Sequence, residues 1–312
     1  MRKHPSSILL AALVFGSAFS FPAASSAQTS SSAQTGQTGA APAAGQTQTQ
    51  GQQPAPGGQA GQANPAAPAK PQVTPDEFKA FNAVQHELDP ARQAQLADDF
   101  AKKYPSSQLL SDAYFFGAYA WQQQGNADKA VEYGDRSLQA NPNNLRSLLL
   151  MAGMLPQPQE MKGSDADKEK KLADAESDAN KALEAIGTLK PPNATPEQTT
   201  QLKSTLTAQV HASLGMVHLQ KATMGLTGAD PQELTKAEQE YKSAVTGVDK
   251  PNAEDYFRLG EIYRMESKTD EAIEAFTQAS KLSQGSPLQG MADQQAEALK
   301  KQKTQAPPPA KP

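Results

Sequence analysis

From Thr74 onward, apolar residues recur at three- and four-residue spacing, with Ala, Leu, Glu, Lys and Gln filling the positions between and Gly and Pro reduced to punctuation. That period belongs to amphipathic helices, and the regular breaks predict short helices in pairs. The first begins at Thr74-Pro75-Asp76-Glu77, with Thr74 as N-cap, Pro75 at the first helical position and Glu77 placed to close a capping box. Phe78, Phe81, Val84 and Leu88 form its expected apolar stripe. A second helix follows Asp89-Pro90, turns Leu96, Phe100 and Tyr104 inward, and stops near Pro105. No strand pattern competes, so the predicted class is all-α.

The helices repeat. Tyr256-Phe257-Arg258-Leu259-Gly260-Glu261-Ile262-Tyr263, followed by Ala272, Phe276 and Ala279, resembles the tetratricopeptide repeat: a large residue, then Leu-Gly, then Tyr, then Ala and Phe on a second helix. Small residues let the two helices approach, and aromatics fill the space around the crossing. A degenerate copy reads Tyr114, Gly117-Ala118, Trp121, Gly125-Asn126, Ala130 and Asn141-Pro142, with Gly134 where the aromatic is usual and a looser second helix expected. A third begins with Ala152 in phase with Ala118, and its Ala175, Ala179 and Ala182 come late, so 156–168 reads as an inserted loop. The fourth has Leu214-Gly215 and His218, with Ala237, Tyr241 and Ala244 displaced by a second insertion at 225–231.

The resemblance implies repeats at about 111–144, 145–190, 198–250 and 253–286, capped by helices at 74–104 and 288–303. Helix pairs of this kind share one core and stack as a right-handed solenoid with a concave face. In the family that face is lined by the first helix of each repeat and binds a protein or peptide segment. Carried over by position, the groove holds Asp112, Phe115, Tyr119 and Gln122, then Arg146, Leu149 and Gly153. Gln209, Ala212, Met216 and Leu219 continue it, and Glu254, Phe257, Glu261 and Arg264 complete it. The carboxylate-clamp subtype needs Lys and Asn where this chain has Phe115 and Tyr119, so it is not expected.

The N-terminal part changes the picture. Arg2 and Lys3, an apolar run from Ile8 to Phe21, and the small residues Ala23 to Ala27 have the zones of a secretory signal peptide cut near Ala27. The run is short for the roughly 20 residues that span a bilayer. Residues 28–72 are nearly all Gln, Thr, Gly, Ala, Ser and Pro, with Lys70 the one charge, a composition expected to remain disordered and to span roughly 35 to 40 Å as a tether. The segment 307–312 reads as a short disordered tail. With no cysteine, disulfides, thiolate metal sites and a lipoprotein anchor are excluded. Export without cysteine suits a bacterial periplasmic or secreted protein.

The formal charge is −4, or −6 once Arg2 and Lys3 are removed, and no basic cluster points to nucleic acid. His211 and His218 lie seven apart on one helix face, yet fall at the positions of Tyr256 and Tyr263, where the repeat needs bulk. Asp165 and Asp167 lack the glycine and distal Glu of a calcium loop and are expected on a solvated loop. No nucleophile elbow, P-loop or dinucleotide fingerprint is present. The chain therefore reads as a non-enzymatic interaction or scaffold module with no cofactor, no metal and no integral membrane segment after cleavage. The alternative is a self-associating structural component of an envelope assembly.

Overall fold

The computed structural model describes residues 73–225 and 228–305. The expected signal segment 1–27, linker 28–72 and tail 307–312 lie outside the described residues. Within the described part there are eleven α-helices: α1 (Pro75–His86), α2 (Pro90–Lys103), α3 (Leu110–Gln123), α4 (Ala127–Ala140), α5 (Leu145–Met154), α6 (Asp165–Thr188), α7 (Pro196–Thr223), α8 (Pro231–Val245), α9 (Ala253–Met265), α10 (Thr269–Leu282) and α11 (Pro287–Gln305). A 3-10 turn, Pro158–Glu160, sits between α5 and α6.

Helix starts follow local chemistry. Thr74 caps α1 and Glu77 returns the hydrogen bond. Thr195 and Gln198 do the same for α7, and Asn126, Asn144 and Asn252 accept backbone N–H groups at α4, α5 and α9. The insertion 156–168 is not all loop. Ser164 caps α6 and Asp167 closes a capping box, so Asp165 and Asp167 form the first turn of a 24-residue helix. Hydrogen bonds from the Ser164 hydroxyl and backbone N–H hold the Asp167 carboxyl below its usual range. The extra residues in this copy, and those of the 28-residue α7, are spent largely on longer helices.

Successive helices pack on each other throughout, and α1 also packs on α3, α3 on α5 and α5 on α7. From α1 to α7 the first helices of consecutive pairs thus form an inner row, the arrangement of a helical solenoid. Three crossings share one device. A Cβ on Gly117 would fall 2.6 Å from the Tyr133 ring, one on Gly215 2.6 Å from Tyr241, and one on Gly260 2.8 Å from Phe276. Each glycine is the gap into which the partner helix lays an aromatic face.

The degenerate copy is closed differently from expectation. Gly134 leaves the usual aromatic slot empty, and Met151 of α5 fills it, with its sulfur and methylene where a Gly134 side chain would stand. Met151 is 1% exposed, so the second helix is tightly packed rather than loose. Beside it, Ser137 donates to the Ser111 carbonyl at 2.7 Å and meets Ser147 at 2.7 Å, while Asn144 donates to the Ser111 hydroxyl at 2.8 Å. These buried groups satisfy one another and tie α3, α4 and α5 together.

Apolar clusters follow one another along the stack. Helix α7 contributes to three: Leu206, Val210 and Leu214 to one shared with α5 and α6, Val217 to a second, and Met216, Leu219 and Ala222 to a third reaching α11. In α1, Phe81 and Val84 are buried as expected, but Phe78 is half exposed. Leu88 is 92% exposed because α1 ends at His86 and leaves it in the turn.

Candidate functional site

The inner row carries a band of aromatic side chains. On α3, Asp112, Phe115, Tyr119 and Gln122 follow one another at spacings of three and four, and all four are partly exposed. The Phe115 and Tyr119 rings lie 6.4 Å apart and nearly parallel, at 17°. Phe116 meets Phe115 edge-on at 5.3 Å and reaches Phe81 of α1 at 6.1 Å. From α5 the Arg146 guanidinium stands 5.9 Å from the Phe115 ring and 5.8 Å from the Phe116 ring, within cation–π range. Asn144 donates to the Asp112 carboxylate at 3.1 Å and fixes it at the edge of the band.

Further along, four expected groove positions are taken by packing. Leu149, Met216, Leu219 and Phe257 are 7%, 5%, 9% and 6% exposed, and Phe257 packs edge-on against Phe276 at 5.2 Å. They belong to the apolar clusters between helices. Gln209 is partly exposed, and its carbonyl accepts from Ser213 at 3.1 Å. On α9, Glu254 and Glu261 flank Arg258, which pairs with them at 3.6 Å and 2.9 Å, while Arg264 is exposed. The candidate surface therefore divides into an aromatic part with one cation on α3 and α5, and an ion-paired part on α9.

Position-by-position transfer passes over Phe116 and Arg258. Phe116 follows a residue assigned to the inner face, and adjacent helical residues point about 100° apart. Its role arises from the sideways approach of α1, which no local pattern records. Arg258 is named in the repeat motif, but the family pattern assigns it no partner.

The two histidines of α7 are fasteners. His211 Nδ1 lies 2.6 Å from Glu240 Oε2 and His218 Nδ1 lies 2.7 Å from Glu233 Oε2, both carboxylates belonging to α8. Among the described residues no three His, Asp or Glu side chains converge on a metal-binding arrangement, and no helix is long and apolar enough to cross a membrane.

Three carboxyl groups depart upward from the usual carboxylate range, Asp135 among them through burial and the nearby Asp174. Burial, with Glu254 nearby, pushes Asp255 up to about 7 against the opposing pull of Arg258. Burial likewise pushes Asp178 up to about 6, opposed by Lys181.

No protein-family model matches the sequence, and no curated protein is similar to it at the level of sequence. Solved structures are similar in fold. The assembly chaperone of RpL4 superposes with a TM-score of 0.50 at 12% identity, over 68% of this chain and 76% of that one. A thermophilic TPR protein of Thermus thermophilus gives 0.48 at 16% identity, over 70% and 97%. PilW, a type IV pilus biogenesis factor, gives 0.35 at 16% identity, over 70% and 98%. The glycine–aromatic crossings and the inner row give the fold of a helix-pair solenoid.

Proposed function

We propose that this tetratricopeptide-type solenoid is a protein-interaction module whose inner face, centred on Phe115, Tyr119 and Arg146, takes a segment of another protein. The observation that carries the reading is the contrast along the inner row. Leu149, Met216 and Phe257 are buried by packing, whereas the stacked Phe115 and Tyr119 rings keep part of their surface open beside a guanidinium. Aromatic rings with a neighbouring Arg are the groups that most often dominate binding energy when a partner covers them. The carboxylates and Arg264 on α9 suit a rim that sets orientation more than affinity.

The same reading places the module outside the bacterial cytoplasm, supported by the signal-like residues 2–27, the linker composition of 28–72 and the absence of cysteine. Binding partners captured in cell-envelope extract by chemical crosslinking should be lost with Phe115→Asp and Tyr119→Asp while circular dichroism keeps the helical signal. Partners retained at the original level by a folded double variant would show that another surface does the binding. Fractionation tests the location, and protein confined to the cytosol with residues 1–27 uncut would overturn export.

A further inference from the structure

One buried amide joins the charged groups that border the aromatic band. Asn144 caps α5, and its Oδ1 accepts from the backbone N–H groups of Arg146 at 3.1 Å and Ser147 at 3.3 Å. Its Nδ2 donates to the Ser111 hydroxyl at 2.8 Å and to the Asp112 carboxylate at 3.1 Å. All four hydrogen-bonding positions of the amide are used, and only one orientation satisfies them. Turned over, its NH2 would face the two N–H groups of α5. A cap alone needs none of this: Asn252 accepts from the Glu254 N–H at 3.0 Å at the start of α9 and is exposed, whereas Asn144 is 7% exposed.

Both ends of the amide act on the band. Asp112 stays partly exposed and is the neighbour of Phe115 on α3 at three-residue spacing. Arg146 follows Asn144 by two residues and lays its guanidinium over the Phe115 ring at 5.9 Å. Asn144 therefore fixes the carboxylate directly and the origin of the guanidinium through the cap. Charge decides which of the two meets an incoming group first. Of the 29 Lys and Arg, all but Arg2, Lys3, Lys70 and Lys311 lie in residues 73–305, which leaves 25 there against all 33 carboxylates, net −8. A field of that sign draws cations.

Taking the inner face as the binding surface, as proposed above, we propose that Asn144 is its specificity-determining residue. By holding the Asp112 carboxylate beside the rings, it selects a protein segment that brings a Lys or Arg to Asp112 together with an apolar side chain for Phe115 and Tyr119. A carboxylate already held by Asn144 loses little freedom when the cation arrives. Arg146, over the Phe115 and Phe116 rings, repels a second cation on its side and so sets which way the segment lies.

Three variants of the full chain separate this role from capping. Asn144→Asp keeps a capping side chain for α5 but sets two carboxylates against each other. Asp112→Asn keeps an acceptor for the Asn144 amide and removes the charge. The exchange of both, Asp112→Asn with Asn144→Asp, restores the hydrogen bond and the net charge while moving that charge from the surface to the buried position. The probe is the set of cell-envelope proteins crosslinked by the wild type, quantified by mass spectrometry at rising salt, with melting temperature followed in parallel. Asp112→Asn is expected to melt with the wild type, to lose capture roughly tenfold and to show a weaker salt dependence. The exchanged pair should regain melting temperature that Asn144→Asp loses, without regaining capture. Capture unchanged in Asp112→Asn, or restored by the exchange, would overturn the proposal. Retention of the same proteins by Phe115→Asp with Tyr119→Asp would instead fault the inner-face reading, which keeps the two failures apart.

Discussion

His218 Nδ1 sits 2.7 Å from Glu233 Oε2 across the contact between α7 and α8, with the histidine side chain 10% exposed and the glutamate 17%. In the last repeat copy the same position is Tyr263, also buried. The histidine therefore fills the space of an aromatic and adds a hydrogen bond to the facing helix. Replacing it by Ala is expected to cost about 1–3 kcal/mol, since Glu233 then keeps only Lys236 as partner in a half-buried place. His218→Phe, which restores bulk without the bond, should recover more than half of that loss in urea unfolding. A Phe variant as unstable as the Ala variant would show that the bond, rather than the bulk, holds the position.

The same chemical change has opposite signs at two glycines. At Gly260 an added methyl meets the Phe276 ring at 2.8 Å, and Gly260→Ala is expected to destabilise by about 1–3 kcal/mol. Gly290 lies inside α11 with nothing within 4 Å of an added Cβ, so Gly290→Ala should stabilise by about 0.5–1 kcal/mol through helix propensity alone. Thermal melts of the two variants read the contrast directly.

Met151→Ala removes the side chain that occupies the slot left by Gly134, and an unfilled buried space of that size costs about 2–5 kcal/mol. Gly134→Leu alone should also destabilise, because the slot is already full. Combined with Met151→Ala it should restore part of the loss. A double-mutant cycle with no coupling would mean that the two positions do not share one space.

Asp255 sets the expected response to pH. Its carboxyl is enclosed by protein, although part of the residue's surface is open, and it holds its proton up to about 7, against an ordinary value of 3.8. Between those values the folded chain binds a proton that the unfolded chain has released. The resulting stability is fully present below 3.8 and is lost as pH rises through about 7. Asp178, raised to about 6, acts in the same direction. Melting temperature should therefore fall from pH 4 toward neutrality through these two groups, and Asp255→Asn should flatten part of that slope.

What the residue pattern reveals depends on whether the partner lies nearby in the chain. Thr74 and Glu77 act within one turn, and the capping box is readable as written. So is the last repeat copy, where Gly260 and Phe276 belong to adjacent helices joined by a short turn. Ser164 and Asp167 carry the same capping signal, but a repeat copy running out of phase reads as a loop across them. Gly134 looks like a defect because its replacement comes from the following repeat. For the surface, period alone puts Leu149, Met216 and Phe257 with Phe115 and Tyr119 on one helix face. Which of them stays open depends on the apolar clusters that take in Leu149, Met216 and Phe257 and leave Phe115 and Tyr119 partly exposed.

A stack of helix pairs is ordinarily a one-dimensional chain of neighbours, free to melt from an end one unit at a time. Helix α7, at 28 residues and about 42 Å, is longer than one pair requires. Its side chains belong to apolar clusters on both sides of it. Opening either half exposes surface that α7 keeps covered in the other, so it works as a splice. Its expected signature is a single calorimetric transition spanning α5 to α11, with amides of α7 among the slowest to exchange.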